Sequence, residues 1–364
     1  MKVGILTIPF NNNYGGYLQC YALITVLREL GHEPVVINRR QRLPSFGLGK
    51  IKAYISNRFL GRKDRKYNIR SMEEYYNMKG KMMFPFVNSK ITPLTPPIYN
   101  KVDYRLLNSM KLDAVIVGSD QVWRPKYVPD IEEYFLKYVP NGVRKISYAA
   151  SLGSDMLEYN KKELDNCSTL LQSFFAVSTR EHSGRNIISR YLGRNDVQVV
   201  LDPTMLLNKA DYLGLIEQDK CEHKKQVFAY ILDRTPEKNS LVNKIASSLS
   251  ANVCDVMKID KYAPYSSVED WLFAVSSSSF VITDSFHGTV FSILFNRPFW
   301  VIGNEKRGNG RILDLLSTFD LEDRLIDMRF PLYFNDALID WEAVNIKLEE
   351  QRKKSIAFLK SSLE

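Results

Sequence analysis

The chain has 364 residues, more than one hydrophobic core usually serves, so two domains are the first expectation. With 45% hydrophobic and 25% charged residues its composition is that of a soluble globular protein, and no apolar run approaches the ~18–20 residues needed to span a bilayer. The net charge of +9 is gathered in one place: residues 39 to 70 carry eleven Lys or Arg against the single acid Asp64, or +10, leaving the rest near neutral at −1, which excludes a chain that coats nucleic acid with a whole basic face.

The opening Met-Lys-Val-Gly-Ile-Leu reads as a strand without a signal-peptide layout, so a cytoplasmic location is expected. The strand, residues 2 to 9, is followed by a polar turn from Asn11 to Gly16 and then by "YLQCYALITVLRELG", whose apolar residues recur at helical spacing and stop at Gly31. "EPVVIN" follows as a second strand, which makes one βαβ unit and a parallel sheet. In the basic segment that comes next, Ile51, Tyr54, Ile55, Phe59 and Leu60 are interleaved with the cations. It reads either as a surface for an anionic membrane face or as a solvated basic loop.

Short apolar runs resume at 112–120, 144–151, 174–180 and 197–203, as a doubly wound sheet covered on both faces requires. A second series, "QVFAYILD", "ANVCDVM", "SFVITDSF" and "RPFWVIG", alternates with helical stretches after a boundary around 204–225. Three regions are expected: an N-terminal α/β domain over 1–207, a C-terminal one over 208–335, and a helix over 336–364 that packs back on the body. The four cysteines, Cys20, Cys167, Cys221 and Cys254, have no paired spacing, so reduced thiols and no metal site are expected.

Ligands of open α/β sheets bind beyond the carboxyl ends of the strands. Five polar clusters fall there: Asn11–Gly16, Gly118–Gln121, Ser178–His182, Asp284–His287 and Gly303–Arg311. Arg180, His182, His287, Lys306, Arg307 and Arg311 outnumber the acids among them, which suits an anion such as phosphate or carboxylate. Gly15-Gly16 lacks the full spacing of a dinucleotide fingerprint and is equally read as a tight turn. His287, at a strand-to-helix turn and facing the inter-domain cleft, is the candidate proton-transfer group. Asp120 either orders a hydroxyl-bearing ligand or caps a helix, and Trp123 either stacks on a sugar or fills the core.

The chain resembles the polysaccharide pyruvyl transferase family. The resemblance rests on the Asn-Tyr-Gly-Gly turn with Leu18, Gln19 and Ala22, on "IVGSDQVW", "ISYAASLG", "FFAVSTRE", "VVLDPTMLL" and "DSFHGTVFSILFNRPF", and on Lys306 ahead of the glycine-flanked Arg311. It implies two Rossmann-like domains with a cleft between them, similar to GT-B glycosyltransferases, the first on the acceptor side and the second on the donor side. It further implies transfer of pyruvate from phosphoenolpyruvate, as substrate and without a cofactor, to a sugar or lipid-linked oligosaccharide. His287 and Arg180 would be catalytic; Asn13, Gly15, Gly16, Asp120, Ser285, Gly288, Lys306, Arg307 and Arg311 would bind substrate. Where many members of the family read Arg-Leu-His, this chain reads Ser285-Phe286-His287, so Arg307, Arg311 or His182 would supply the missing charge. A GT-B glycosyltransferase using a nucleotide sugar, and a non-catalytic anion- or glycan-binding scaffold, are the competing readings.

Overall fold

A computed structural model describes residues 1–10, 12–40, 77–216, 225–257, 263–304, 308–329 and 338–364. Lys306, Arg307 and residues 41–70 of the basic segment lie outside the described residues. Of that segment's two described cations, Arg39 is no solvated surface charge. It is buried, and its guanidinium pairs with the buried Glu133 at 3.1 Å.

The first sheet has six parallel strands: β1 (Lys2–Leu6), β2 (Glu33–Val36), β3 (Ala114–Val117), β4 (Arg144–Ala150), β5 (Ala176–Thr179) and β6 (Gln198–Val199), in the order β2-β1-β3-β4-β5-β6. The second has five: β7 (Gln226–Tyr230), β8 (Asn252–Cys254), β9 (Phe280–Thr283), β10 (Phe299–Ile302) and β11 (Leu325–Ile326), in the order β8-β7-β9-β10-β11. Central strands such as Ala-Val-Ile-Val in β3 and Phe-Trp-Val-Ile in β10 are buried throughout, because helices cover both faces of a parallel sheet. Counted from its own first strand, each sheet runs 2-1-3-4-5, with a sixth strand added at the end of the first. The direction of winding therefore reverses between β1 and β3 in one domain and between β7 and β9 in the other, and these are the crevices where such sheets bind ligands.

The helices that bring the two crevices together are α1 (Tyr14–Glu29), α2 (Phe84–Lys90), α3 (Ile131–Tyr134), α4 (Lys161–Leu171), α5 (His182–Ile187), α6 (Lys209–Leu213), α7 (Pro236–Ser248), α8 (Val268–Ser277), α9 (Phe286–Leu294), α10 (Gly310–Thr318) and α11 (Trp341–Leu363). Tyr14, at the start of α1, stacks on Trp271 of α8 at 5.5 Å and donates to the Ser266 carbonyl at 2.8 Å, so one aromatic core runs across both domains. α11 returns to the first domain: Arg352 donates to the carbonyls of Met205 (2.9 Å) and Leu207 (3.0 Å), and Ser355 Oγ accepts from Leu201 N–H. The strand expected over 197–203 is cut short at Val199, because Asp202 turns back to accept from the N–H and hydroxyl of Thr204.

Candidate active site

The stretch from Asp284 to Gly288 shows how sequence builds the second-domain side. Asp284, just past β9, accepts from the N–H groups of Leu232 and Asp233 and from Lys238 Nζ at 2.6 Å, tying its loop to the end of β7 and to α7. Ser285 is the N-cap of α9, its hydroxyl accepting from Gly288 N–H at 3.5 Å. Gly288 permits the tight turn, since a Cβ there would lie 2.2 Å from Thr283 Oγ1. Ser285 and Gly288, both expected to bind substrate, thus act on each other and on the turn, with the Gly288 N–H facing its cap. Phe286 lies under Arg180 at 4.2 Å, and His287 points across the cleft.

There His287 meets the first domain at Gly15. A Cβ on Gly15 would lie 1.9 Å from His287 Nδ1, so glycine is required for the imidazole to enter, and Gly15 serves close approach between domains. Asn13 occupies the N-cap position of α1 yet does not cap it; its amide donates to Asp120 Oδ2 at 3.3 Å. Gly16 follows within the buried first turn, and Gln19 on the same helix accepts from Ser119 N–H at 3.0 Å, fixing the end of β3 against β1.

Arg180, at the end of β5, is fully enclosed. Its guanidinium reaches Asp202 Oδ2 at 2.8 Å and Asp120 Oδ1 at 3.2 Å, with Glu181 Oε2 3.8 Å from its Nε. Burial disfavours this cation, but the three carboxylates outweigh burial and hold its proton affinity above the ordinary value. Asp120 does not cap a helix: it has a left-handed backbone (φ 70°) and is ligated by Arg180, Asn13 and the N–H of Gln121. Trp123 fills the core, stacked on Phe135 at 5.0 Å.

Of the expected excess of positive charge, Lys306 and Arg307 lie outside the described residues. Arg180 is compensated by acids, and the described cluster of Arg180, Arg311, Asp120, Glu181 and Asp202 has three carboxylates for two guanidinium groups. Arg311, from α10, sits buried beside Phe286 at 6.0 Å. Burial, then Arg180, push its guanidinium down to about 10, still cationic at neutral pH. Arg311 is thus the second guanidinium of the described cluster, and Arg307 lies outside the described residues. His182 is exposed.

Asp202, read from sequence as a strand end, joins the two expected catalytic residues. Its Oδ2 accepts from Arg180, lies 3.0 Å from Ser119 Oγ, and stands 3.7 Å from His287 Nε2, which has no hydrogen-bond acceptor among the described residues. Burial acts to raise its proton affinity, but His287, Arg180 and Thr204 overcome it and hold the carboxyl well below the usual range. An imidazole backed by a buried carboxylate is suited to taking and returning a proton. Glu181 differs: burial raises it, against Arg180 and Arg311.

A model of the polysaccharide pyruvyl transferase family matches residues 13–306, from the Asn13 turn to Lys306. The chain belongs to this family. No curated protein sequence matches it. Among solved structures, the pyruvyl transferase chain is similar to a protein described as a UDP-N-acetylglucosamine 2-epimerase from Listeria monocytogenes (10% identity, covering 95% of this chain and 94% of that one, TM-score 0.51). It is equally similar to Arabidopsis thaliana UGT89C1, solved with UDP-L-rhamnose (10% identity, 99% and 98% covered, TM-score 0.51). MnaA from S. aureus, solved with UDP, also matches (11% identity, 96% and 87% covered, TM-score 0.50). These likenesses show the fold, GT-B-like with two parallel-sheet domains and a terminal helix.

Proposed function

We propose that this polysaccharide pyruvyl transferase moves pyruvate from phosphoenolpyruvate to a sugar of a cell-surface polysaccharide or its lipid-linked precursor, forming a ketal. The observation that carries the reading is the convergence of His287, Arg180 and Asp202 from both domains in one buried cluster beside Gly15. In this scheme His287, protonated and steadied by Asp202, delivers a proton to the methylene carbon of the enol, and positive charge develops at the neighbouring carbon. A sugar hydroxyl bonds to that carbon, the carbon–oxygen bond to phosphate breaks, and inorganic phosphate leaves. A second hydroxyl closes the ring; of the two hydroxyl protons one returns to His287 and one leaves with phosphate. Arg311 and Arg180 offset the donor's negative charge.

In this reading the reaction runs in the cytoplasm, and the charge of residues 39–70 suits contact with an anionic membrane face bearing the acceptor. No helix among the described residues is long and apolar enough to cross a membrane. The test is thermal unfolding with millimolar phosphoenolpyruvate against a panel of nucleotide sugars, paired with phosphate release in the presence of acceptor. Stabilisation by phosphoenolpyruvate, by ~2.7 kcal/mol at about 100 times its dissociation constant, is expected, with turnover falling ~10²–10⁴-fold in His287→Ala. Stabilisation by a nucleotide sugar alone would move the chain to sugar transfer and end the proposal.

A further inference from the structure

Beside the buried cluster lies a cavity of about 410 Å³, within the size range of small-ligand sites. Its inner wall is Arg180, Asp202 and Phe286; its outer wall comes from α5, α10 and α11. His287 is not part of the wall but stands 3.7 Å behind Asp202. The cavity therefore lies next to the groups assigned to proton transfer, with the Arg180 and Asp202 side chains themselves enclosed, and is bounded by both domains and the terminal helix.

The outer wall holds polar groups left over from folding. Asp314 accepts from His182 N–H through Oδ2 at 2.7 Å, and its Oδ1 has no donor among the described residues. The hydroxyl of Ser317 and the side-chain amide of Gln351 likewise have no partner there, although both line the cavity; Ser317 is exposed and Gln351 half-buried. The wall thus offers an acceptor, a hydroxyl and an amide, with apolar surface from Phe286, Met205 and Leu315 between them. Its lining carries one guanidinium, Arg180, and two carboxylates, Asp202 and Asp314. A phosphorylated donor lodged here would face the Asp314 carboxylate, whereas a neutral sugar ring would find an acceptor, a hydroxyl and an amide to bond and an apolar face for its carbons.

We infer that this cavity seats the acceptor: an uncharged hexose or N-acetylhexosamine ring, held by Asp314, Ser317 and Gln351 beside the cluster of Arg180, Asp202 and His287. The inference rests on the pyruvyl-transfer reading for the word acceptor, and it moves the acceptor from the loops of the first domain to a seat made jointly with α10 and α11.

Saturation-transfer NMR with the methyl glycosides of glucose, galactose and N-acetylglucosamine, and with glucuronate as the charged control, tests it on the full chain. At least one neutral glycoside should bind, glucuronate should bind more weakly, and Gln351→Ala and the mouth-filling Ser317→Trp should each weaken binding about tenfold or more, the scale of one good polar contact. The phosphoenolpyruvate thermal shift should persist in both variants. Absence of any neutral glycoside bound to the wild type, unchanged binding in both variants, or loss of the phosphoenolpyruvate shift with them would overturn the inference. Glycoside binding that obeys the variants in a chain phosphoenolpyruvate does not stabilise would keep the seat and remove the transferase reading.

Discussion

Asp120 and Asp284 occupy the same place in the two domains, just past the third strand of a 2-1-3-4-5 sheet, and both are buried. Their partners differ in kind. Asp284 is satisfied from within its own domain, by two backbone N–H groups, Asn304 Nδ2 and Lys238 Nζ, so its charge has a dedicated counter-ion. Asp120, besides hydrogen bonds from Asn13 and the Gln121 N–H, has for its counter-ion a share of Arg180, which also binds Asp202, and Asp202 in turn faces His287 of the other domain. One carboxylate closes a loop; the other opens onto a network that crosses the cleft. A charge with a private partner fastens structure, and a charge held in common can shift its allegiance when a ligand arrives.

The largest effect should come from breaking the private pair. Asp284→Ala strands Lys238 with its side chain only 10% exposed and leaves two backbone N–H groups without their acceptor, so a loss of about 3–5 kcal/mol is expected in denaturant unfolding. A loss under ~1 kcal/mol would mean that the loop does not depend on its carboxylate. Asp120→Asn sharpens the contrast. Asn tolerates the left-handed backbone at φ 70°, and Arg180 keeps Asp202, so stability should fall by only about 1–3 kcal/mol. With one acid fewer around Arg180, the same variant should bind phosphoenolpyruvate more tightly while turning over more slowly; weaker binding would show that Asp120 supports the donor and does not compete with it.

The frame of this arrangement was legible before any coordinates. Continuous apolar runs such as "DAVIVG" and "SFVITD" announced buried parallel strands, and the handover from β9 to α9 at Asp284–Gly288 was readable as strand, turn and helix. Its division of labour was not. Ser285 and Gly288 looked like ligand contacts because ligands bind at such turns, but local needs, a cap and a tight crossing over Thr283, claimed them first. The balance of charge was hidden for another reason: Arg180 meets Asp120 and Asp202 across 60 and 22 residues, and no local pattern encodes such a pairing. Asp202 did leave one trace, its place ahead of Pro203 at the end of an apolar run, which marked a strand end but could not say that a carboxylate oxygen faced a histidine in the next domain.

Glu181 offers the finest test, because it sits against the same Arg180 yet leans the opposite way from Asp202. Its Oε1 accepts from Leu152 N–H at 3.1 Å, while Oε2, 3.8 Å from Arg180 Nε, has no hydrogen-bond donor among the described residues. Burial dominates, and the carboxyl is raised above its ordinary value despite Arg180 and Arg311. A raised acid contributes stability that is fully present below its unfolded pKa, about 4.3, and is lost as pH rises through the folded value. Asp202, lowered, contributes stability present above about 3.9 and lost only as pH falls, so the two are separable in direction. Glu181→Gln does not titrate at this position. Measured between about pH 4 and pH 8, the stability of the wild type should therefore decline relative to that of the Gln variant as pH rises, by the smallest margin of the three predictions because only one proton is involved. A difference that moves the other way would mean that Arg180 and Arg311 outweigh burial, and that Glu181 belongs with Asp120 and Asp202 among the carboxylates that hold the shared charge.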